Sequence, residues 1–591
     1  MLEKFEPTKV SSVGKVMPLE VALSKYIKPG MSLHFAYSQG RPMAASNALV
    51  RVFKGKDPKF TFISSGIVAN QTALVTEQIV SKLIVSFVGE NYPTPGPNPL
   101  LQNAIDTGLV EIESNSLLVL TQRLAAGAYG FPFALTRSLN NSTMENNPSY
   151  RQISDPFGSG DPVGVVEALV PDITILHGLA ADESGNILIS PPFGDADVSA
   201  FSSRIGIIAT VERIITTKEL QLYSSLVKIP SYRVLSLSVT PFGCHPYAIY
   251  NPTDLDIPDY VEDSSTFRKI RKSVQDKNSF KNWTNDWIIN VSNHEGYLKK
   301  LGTEKLEVLR SRAEGDAWLD DISKSDFERI SKVKGYEAKE MMVIMAARVL
   351  SKKVQKEGHL VVQAGVGFAN LAAWIAVYNL QHKFGIQAEL VAEIGIYGYT
   401  PKAGEPFIFS NRNLTSVKSM SGVENILGLQ VGGRHNVCVA IIGSGQIDPT
   451  GNINSTLTSN GGYLLGSGGA NDIASTAAEV IVVSQQSQKR LIPELNYITS
   501  PGTNVSTLVT DLGVFEKQDG RLILTQYFEN PDESTDNAIE NIRSRCGWEL
   551  EVSENVSAAQ PPSQNDLLLL RLFDSRNDFF KHSQQLAEVT L

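Results

Sequence analysis

The strongest constraint on this chain is that one order of segments occurs twice. MSLHFAY (Met31–Tyr37) reads as a strand, SQGRP as a turn, and MAASNALVRVF as a helix with Pro42 at its first position. Far downstream HLVVQA (His359–Ala364) reads as a strand, GVGFAN as a turn and LAAWIAVYNLQ as a helix. Asp182 and Asp448 each open an Asp-x-x-Gly-Asn-Ile stretch. After them, SRIGIIATVERI (from Ser203) and AAEVIVVSQQSQ (from Ala477) are matching apolar runs. The spacing between copies shrinks along the chain, so the first half carries extra residues. A repeat this long does not suggest a solenoid, and 591 residues exceed one hydrophobic core. The expected fold is α/β: two tandem, structurally related α/β domains with open, mainly parallel sheets flanked by helices, packed face to face.

Composition narrows the function classes. The net charge is −9 without a Lys/Arg block, which disfavours nucleic acid and anionic membranes as partners. Cys244, Cys438 and Cys546 are isolated, which argues against a disulfide framework or zinc site and fits a reducing cytoplasm. The start, MLEKFEPTKVSS, lacks an apolar signal core, and no apolar run approaches the ~18–20 residues of a membrane span; a cytoplasmic location is expected. Val261–Lys334, with Trp283, Trp287 and Trp318, reads as helices connecting the halves, and Ser553–Asp566 as a loop before a last helix.

GVGFAN and GSGGAND lack the third glycine of a dinucleotide fingerprint, and no Walker A loop, HExxH or G-x-S-x-G occurs. The histidines show no metal-ligand spacing; His177 reads as a core residue and His245 as a turn residue. No metal and no permanently bound cofactor are expected. Chemistry then falls to a carboxylate, a cysteine or a bound substrate.

IQAELVAEIGIYGYTP is the informative segment. A β-prone run ends at Glu393, and Gly395 and Gly398 let the chain turn away. A carboxylate there points into the crevice where open α/β sheets bind ligands. Glu389 shares its facing by strand period but lies roughly 13 Å further back.

These residues carry a family resemblance. GRPMAASNALVR, FVGENYPTPGP, RLAAGAYGFPF, PDITILHGLAADESGNI and VTPFGCHP, followed by YEAKEMMVIMAARVL, AGVGFANLAAWIA, AEIG, GQIDPTGNINS and GSGGANDIAS, resemble the family I CoA-transferases, above all the glutaconate CoA-transferase branch, with α- and β-subunit halves fused in one chain. The resemblance runs from about Leu19 to about Phe515. It implies an α-like domain over 1–325 on the acid side and a β-like domain over 326–591 carrying the nucleophile and the CoA site.

By position Glu393 is the implied nucleophile of a ping-pong transfer through a glutamyl-CoA thioester. CoA is a co-substrate, and an acyl-CoA and a carboxylic acid are the substrates. Gly365, Val366, Gly367, Phe368 and Ala369, with Gly451, Gly468 and Gly469, are the implied CoA and oxyanion loops. Tyr37, Ser38, Gln39, Gly40 and Ile394 are expected to line the substrate pocket, and Arg41 or Arg123 could pair with a second carboxylate. Ile394 replaces the family's usual Ser or Asn, which suggests a more apolar pocket, and Ala369 stands where Pro is common. Other outcomes of such a fold are acyl-CoA hydrolysis, decarboxylation, or CoA-ester binding without catalysis. Family members commonly double the α/β pair, so a homodimer is expected.

Overall fold

Strand Ser32–Phe35 lies between two parallel partners, with Leu33 opposite Phe62 on one side and Ile173 on the other. Val80–Val88, Phe60–Ile67, Ser32–Phe35, Ile173–Asp182, Gly206–Ile215 and Val234–Val239 run parallel in that order. The computed structural model describes residues 14–158, 162–320, 322, 324–529 and 535–580. Among them the second half repeats the pattern, with Glu389–Ala392, Val361–Ala364, Cys438–Gly443, Glu479–Ser484 and Val505–Thr510 parallel and adjacent. Being buried on both faces, these strands are near-continuous Val/Ile/Leu/Ala runs.

The repeated Asp-x-x-Gly-Asn stretch is one device built twice. Asp182 Oδ1 accepts from the Gly185 and Asn186 amides (3.0 and 2.9 Å), and Asp448 Oδ1 from those of Thr450 and Asn452 (2.9 and 3.0 Å). In both copies the Asn side chain donates to the other Asp oxygen at 2.9 Å. The motif is an Asx turn that reverses the chain beyond a central strand.

Local chemistry sets the helices that flank the sheets. Met43–Phe53 follows Pro42, which occupies the N-cap position and not the first helical one. Helix Phe368–Phe384 is buried on all sides from Ala369 to Val377, which is why that stretch is almost wholly apolar: Trp374 sits in the core with its indole N–H on the Tyr399 hydroxyl at 2.9 Å. Trp283 stacks on Phe280 and Trp287 meets Tyr297 edge-on, both as packing anchors. Helix Lys324–Lys332 straddles the expected 325/326 boundary, and Arg329 donates to the Ser575 carbonyl at 2.6 Å.

One expectation is overturned. Val552–Ala558 is a strand, parallel to Arg521–Tyr527, and the loop before the last helix (Gln564–Phe573) is correspondingly short. Its polar sequence, SENVSA, reflects an edge position with much of the strand exposed, where polar residues are tolerated. Among the described residues no helix is long and apolar enough to cross a membrane.

The halves interlock at the carboxyl ends of their sheets. Tyr37, Leu117 and Leu118 pack into the second half's core, and Phe407 and Tyr463 into the first's. Backbone bonds join Gly468 N to Ser86 O, Leu117 N to Gly468 O and Val88 N to Leu465 O at 2.8–2.9 Å. Gly194 is the tightest joint: its N–H donates to Ile394 O (3.0 Å), its carbonyl accepts from Val423 N (2.9 Å), and a Cβ there would lie 2.2 Å from Tyr37 O. With φ of +57° the position suits glycine alone. Gly194→Ala is therefore expected to destabilise by more than about 2 kcal/mol. Gly30→Ala, with φ of +82° but open space around its Cβ position, should lose only about 1 kcal/mol. Denaturant unfolding of the two variants checks the contrast.

Candidate active site

Register brings the main sequence candidates together. Gln363 pairs with Val391 on adjacent parallel strands, so continuing the ladder sets Gly365 abreast of Glu393. Both leave the sheet at its carboxyl edge. Gly367 (φ +97°) then opens helix Phe368–Phe384; Asn370 N donates to Gly367 O at 3.1 Å, and the Phe368 and Ala369 N–H groups ahead of it have no intrahelical partner. Pro95, from the first half's NYPTPGP loop, lies 3.8 Å from where a Gly367 Cβ would stand. Val366 is half-buried, Ala369 is buried, and Phe368 packs edge-on against Phe579.

Glu393 sits where the halves meet. The turn behind it is fixed by Ser421, whose N–H donates to Gly395 O at 2.8 Å; a Cβ at Gly395 would fall 1.9 Å from Ser421 O. Among the described residues its carboxylate forms no hydrogen bond and no ion pair. A Cβ at Gly469 would come within 2.3 Å of Oε2, so the bare Gly469 backbone borders the carboxylate. Burial pushes the Glu393 pKa up to about 7, the Asp472 charge adds to the rise, and Arg41 pulls the other way. Glu389 is different: Lys418 holds it in an ion pair.

Asp472, quoted within GSGGAND but given no role from sequence, works across the joint. It caps helix Leu117–Tyr129 of the other half, accepting from Leu118 N at 2.9 Å and Ser116 Oγ at 2.5 Å. An acid at a positive helix end is favourable, yet burial still raises its pKa to about 6.

The first half contributes its own carboxyl-end loop. Tyr37 N donates to Asp195 Oδ1 at 3.0 Å, Gly40 N to Ser38 Oγ at 3.0 Å, and Gln39 Nε2 reaches Phe409 O at 3.4 Å. Arg41 is half-buried between the rings of Tyr37 and Tyr247, 5.1 and 4.7 Å from their centroids. Gly194 and Asp195, which hold this loop against the second half, had no sequence signal beyond the turn-forming SPPFGD.

Three candidates lie elsewhere or face away. Gly451 turns the Asp448 loop, its Cβ position facing Val505 at 3.0 Å. The Ile394 side chain is 4% exposed and joins the second half's core, within the turn that follows strand Glu389–Ala392. It therefore gives no ground for an apolar pocket. Arg123 is a structural residue, bound to Glu113 (2.5 Å), Asn115 and the Glu167 carbonyl. Gly468 has φ of +53° and open space at its Cβ position.

Among the described residues one cluster, His177, Glu212 and Cys244, could hold a metal. Its donors are already engaged: Glu212 accepts from Phe242 N, Gly243 N and Tyr260 OH, and His177 meets Thr210 and Glu212 at 2.9 and 3.0 Å. His177 is thus buried in a satisfied network, and His245 lies in a turn between Tyr297 and Asp263.

A sequence profile of the family described as Coenzyme A transferase matches residues 16–236. One of the two subunits of the 3-oxoadipate CoA-transferase of Pseudomonas knackmussii is 24% identical, covering 50% of this chain and all of its own length. The other subunit of that enzyme is 28% identical over 43% of this chain and 98% of its own. Each half of the chain is thus similar to one subunit of a CoA-transferase.

The halves that match those two subunits lie here on one polypeptide. The solved acyl-CoA transferase of Escherichia coli O157:H7, a thioester complex with CoA, shares the fold with a TM-score of 0.65 at 15% identity over 96% of this chain and 98% of that one. The raised Glu393 pKa carries a stability signature. Its native pKa (about 7) lies above the ~4.5 of an unfolded Glu, so the native state loses stability as pH rises through that window. Glu393→Gln should accordingly stabilise the protein at pH 8 by on the order of 1–2 kcal/mol, seen as a higher thermal midpoint, and leave the midpoint nearly unchanged at pH 5.

Proposed function

We propose that the transferase works by a ping-pong mechanism with Glu393 as the covalent nucleophile. The observation that carries this reading is an unpaired carboxylate at a strand end, bordered by bare glycine backbone, at the joint of two complementary halves. A carboxylate oxygen attacks the acyl-CoA thioester carbon, the C–S bond breaks, and CoA leaves as thiolate. The resulting acyl-glutamyl anhydride is attacked by that thiolate at the glutamyl carbonyl, which releases the acyl group as its carboxylate and leaves a glutamyl-CoA thioester. The acceptor acid reverses both steps. One thioester is exchanged for another, so the sequence of steps balances without a further co-reactant.

The remaining groups fall into place around that chemistry. Oxyanions at each attack need preorganised donors, and the Gly365–Ala369 turn with its helix N-terminus offers them beside Glu393. Gly468 and Gly469 leave room for the pantetheine end. The Tyr37–Gly40 loop closes the site from the first half and keeps out water, which would otherwise divert transfer to hydrolysis. We place the domain boundary just before Lys324, since that helix is tied to Ser575 of the second half.

A homodimer is part of the proposal. On the small sheet of Phe133–Thr136, Tyr150–Ser154 and Pro162–Glu167, register puts Phe133, Leu135 and Ile153 on one face. Those three are exposed, as are Tyr129, Phe131 and Phe157 nearby. Together they offer several hundred Å² of apolar surface, approaching the ~800 Å² per partner of a stable dimer. Leu135→Glu is expected to convert the dimer to monomer in light scattering, without change in far-UV circular dichroism.

The mechanism is tested directly by mass. After incubation with acyl-CoA, the peptide containing Glu393 should gain the mass of CoA less water. Glu393→Gln should lose the adduct and about 10⁴-fold or more in kcat. Full acyl-CoA turnover by the variant, or CoA release independent of any acceptor acid in the native enzyme, would overturn transfer through Glu393.

A further inference from the structure

The first half's loop from Glu90 to Gly96 is held from several sides. Glu90 and Gly96 exchange backbone hydrogen bonds at 2.9 and 2.8 Å, which closes the loop at its base. The Asn98 amide donates to the Glu90 carboxylate at 2.8 Å. Tyr92 stacks on Phe267 and sets its hydroxyl on Glu405 of the second half. Pro93, Pro95, Pro97 and Pro99 fix φ at every second residue and carry no N–H. A loop so poor in donors leaves its carbonyls to be satisfied by a side chain or by water.

Arg271 is that side chain. It stands on helix Ser264–Ser273, which buried Phe267 and Ile270 anchor, and its Nη1 donates to Tyr92 O at 2.9 Å and to Thr94 O at 2.7 Å. Among the described residues the guanidinium forms no ion pair, so its side-chain bonds go to this one loop. Gly96 leaves room for it, since a Cβ there would strike Nη2. The tip held in this way, Thr94 and Pro95, meets the glycine turn beside Glu393. Among the described residues Pro95 Cδ is the one atom, chain neighbours aside, within 4 Å of the Gly367 Cβ position, at 3.8 Å.

We propose that Arg271 is a positioning residue for the transfer: it holds Thr94 and Pro95 as a rigid wall against the Gly365–Ala369 turn, and that wall keeps water from the reacting carbonyl. The inference deepens the transfer reading and rests on it for the place of the reaction. Water adding to the glutamyl-CoA carbonyl breaks its C–S bond, passes a proton to the leaving sulfur and frees CoA, so Glu393 returns as a carboxylate and no new acyl-CoA forms. A proline tip suits exclusion because it presents ring carbons and no N–H. Without the clamp the Tyr92 and Thr94 carbonyls lose their donor and take water instead, which brings solvent to the turn.

The test is the ratio of hydrolysis to transfer in the whole protein. Acetyl-, butyryl- and glutaryl-CoA are each offered with acetate, butyrate or glutarate, and the fastest pair is kept. Free CoA thiol reports hydrolysis and the newly formed acyl-CoA reports transfer. Arg271→Met should raise the ratio about tenfold, chiefly through faster CoA release. Arg271→Lys, a point charge in place of a planar fork, should recover part of the native ratio. Pro95→Gly keeps the clamp, loosens the tip and should raise the ratio as well. Loss of folded protein lowers both rates alike and leaves the ratio where it was. An unchanged ratio in Arg271→Met, or an effect confined to KM for acyl-CoA, would overturn the assignment. If Arg271→Met does not fold, an unchanged ratio in Pro95→Gly sinks the wall. Because the ratio is read from products, absence of the Glu393 adduct on native protein defeats the glutamyl reading alone. A native protein that turns over no pair, or frees CoA as fast without an acceptor as with one, defeats both.

Discussion

Close backbone approach between the two halves is the constraint on which this protein depends. Two open sheets present their carboxyl ends to each other, and such ends are loops rich in unpaired N–H and C=O groups. They dock only where the main chains can satisfy one another directly. Gly194 does this, donating to Ile394, accepting from Val423 and lying against the Tyr37 carbonyl. Gly422 against Gly194 extends the same contact, and Gly395 against Ser421 fixes the second half's turn behind it. Side chains at these points would hold the sheets apart and open the space beside Glu393 to solvent.

That docking also explains the electrostatics. Glu393 and Asp472 are both carboxylates drawn out of water by it, and both have raised pKa values. Asp472 is compensated by the helix it caps across the joint. Glu393 has no such compensation, and its carboxylate stays unpaired at the joint. Arg41, from the opposite half, moderates the penalty from a distance. The stability lost at this position as pH rises has that desolvation as its origin.

The part of the site legible in sequence was the part carried by strand period and turn chemistry. Glu393, the GVGFA turn and the YSQG loop could be placed because each follows an apolar run and precedes a glycine or a helix. What escaped was whatever acts across the joint. Asp472 reads as an ordinary residue in a short helix, and nothing local says that it caps a helix more than three hundred positions away. Gly194 reads as a turn glycine. Ile394 was misjudged because adjacency to Glu393 in sequence does not decide which way a side chain points. Val552–Ala558 was missed because an edge strand lacks the apolar alternation of a half-buried one.

By itself the sequence determined that two α/β copies would form and that a carboxylate would end a central strand of the second, since hydrophobic period and glycine placement act within a few residues. Only the tertiary structure decided which groups face that carboxylate. Burial, capping across the halves and the unpaired state of Arg41 depend on how two surfaces meet. That meeting is settled by contacts between residues hundreds of positions apart, which no local pattern records.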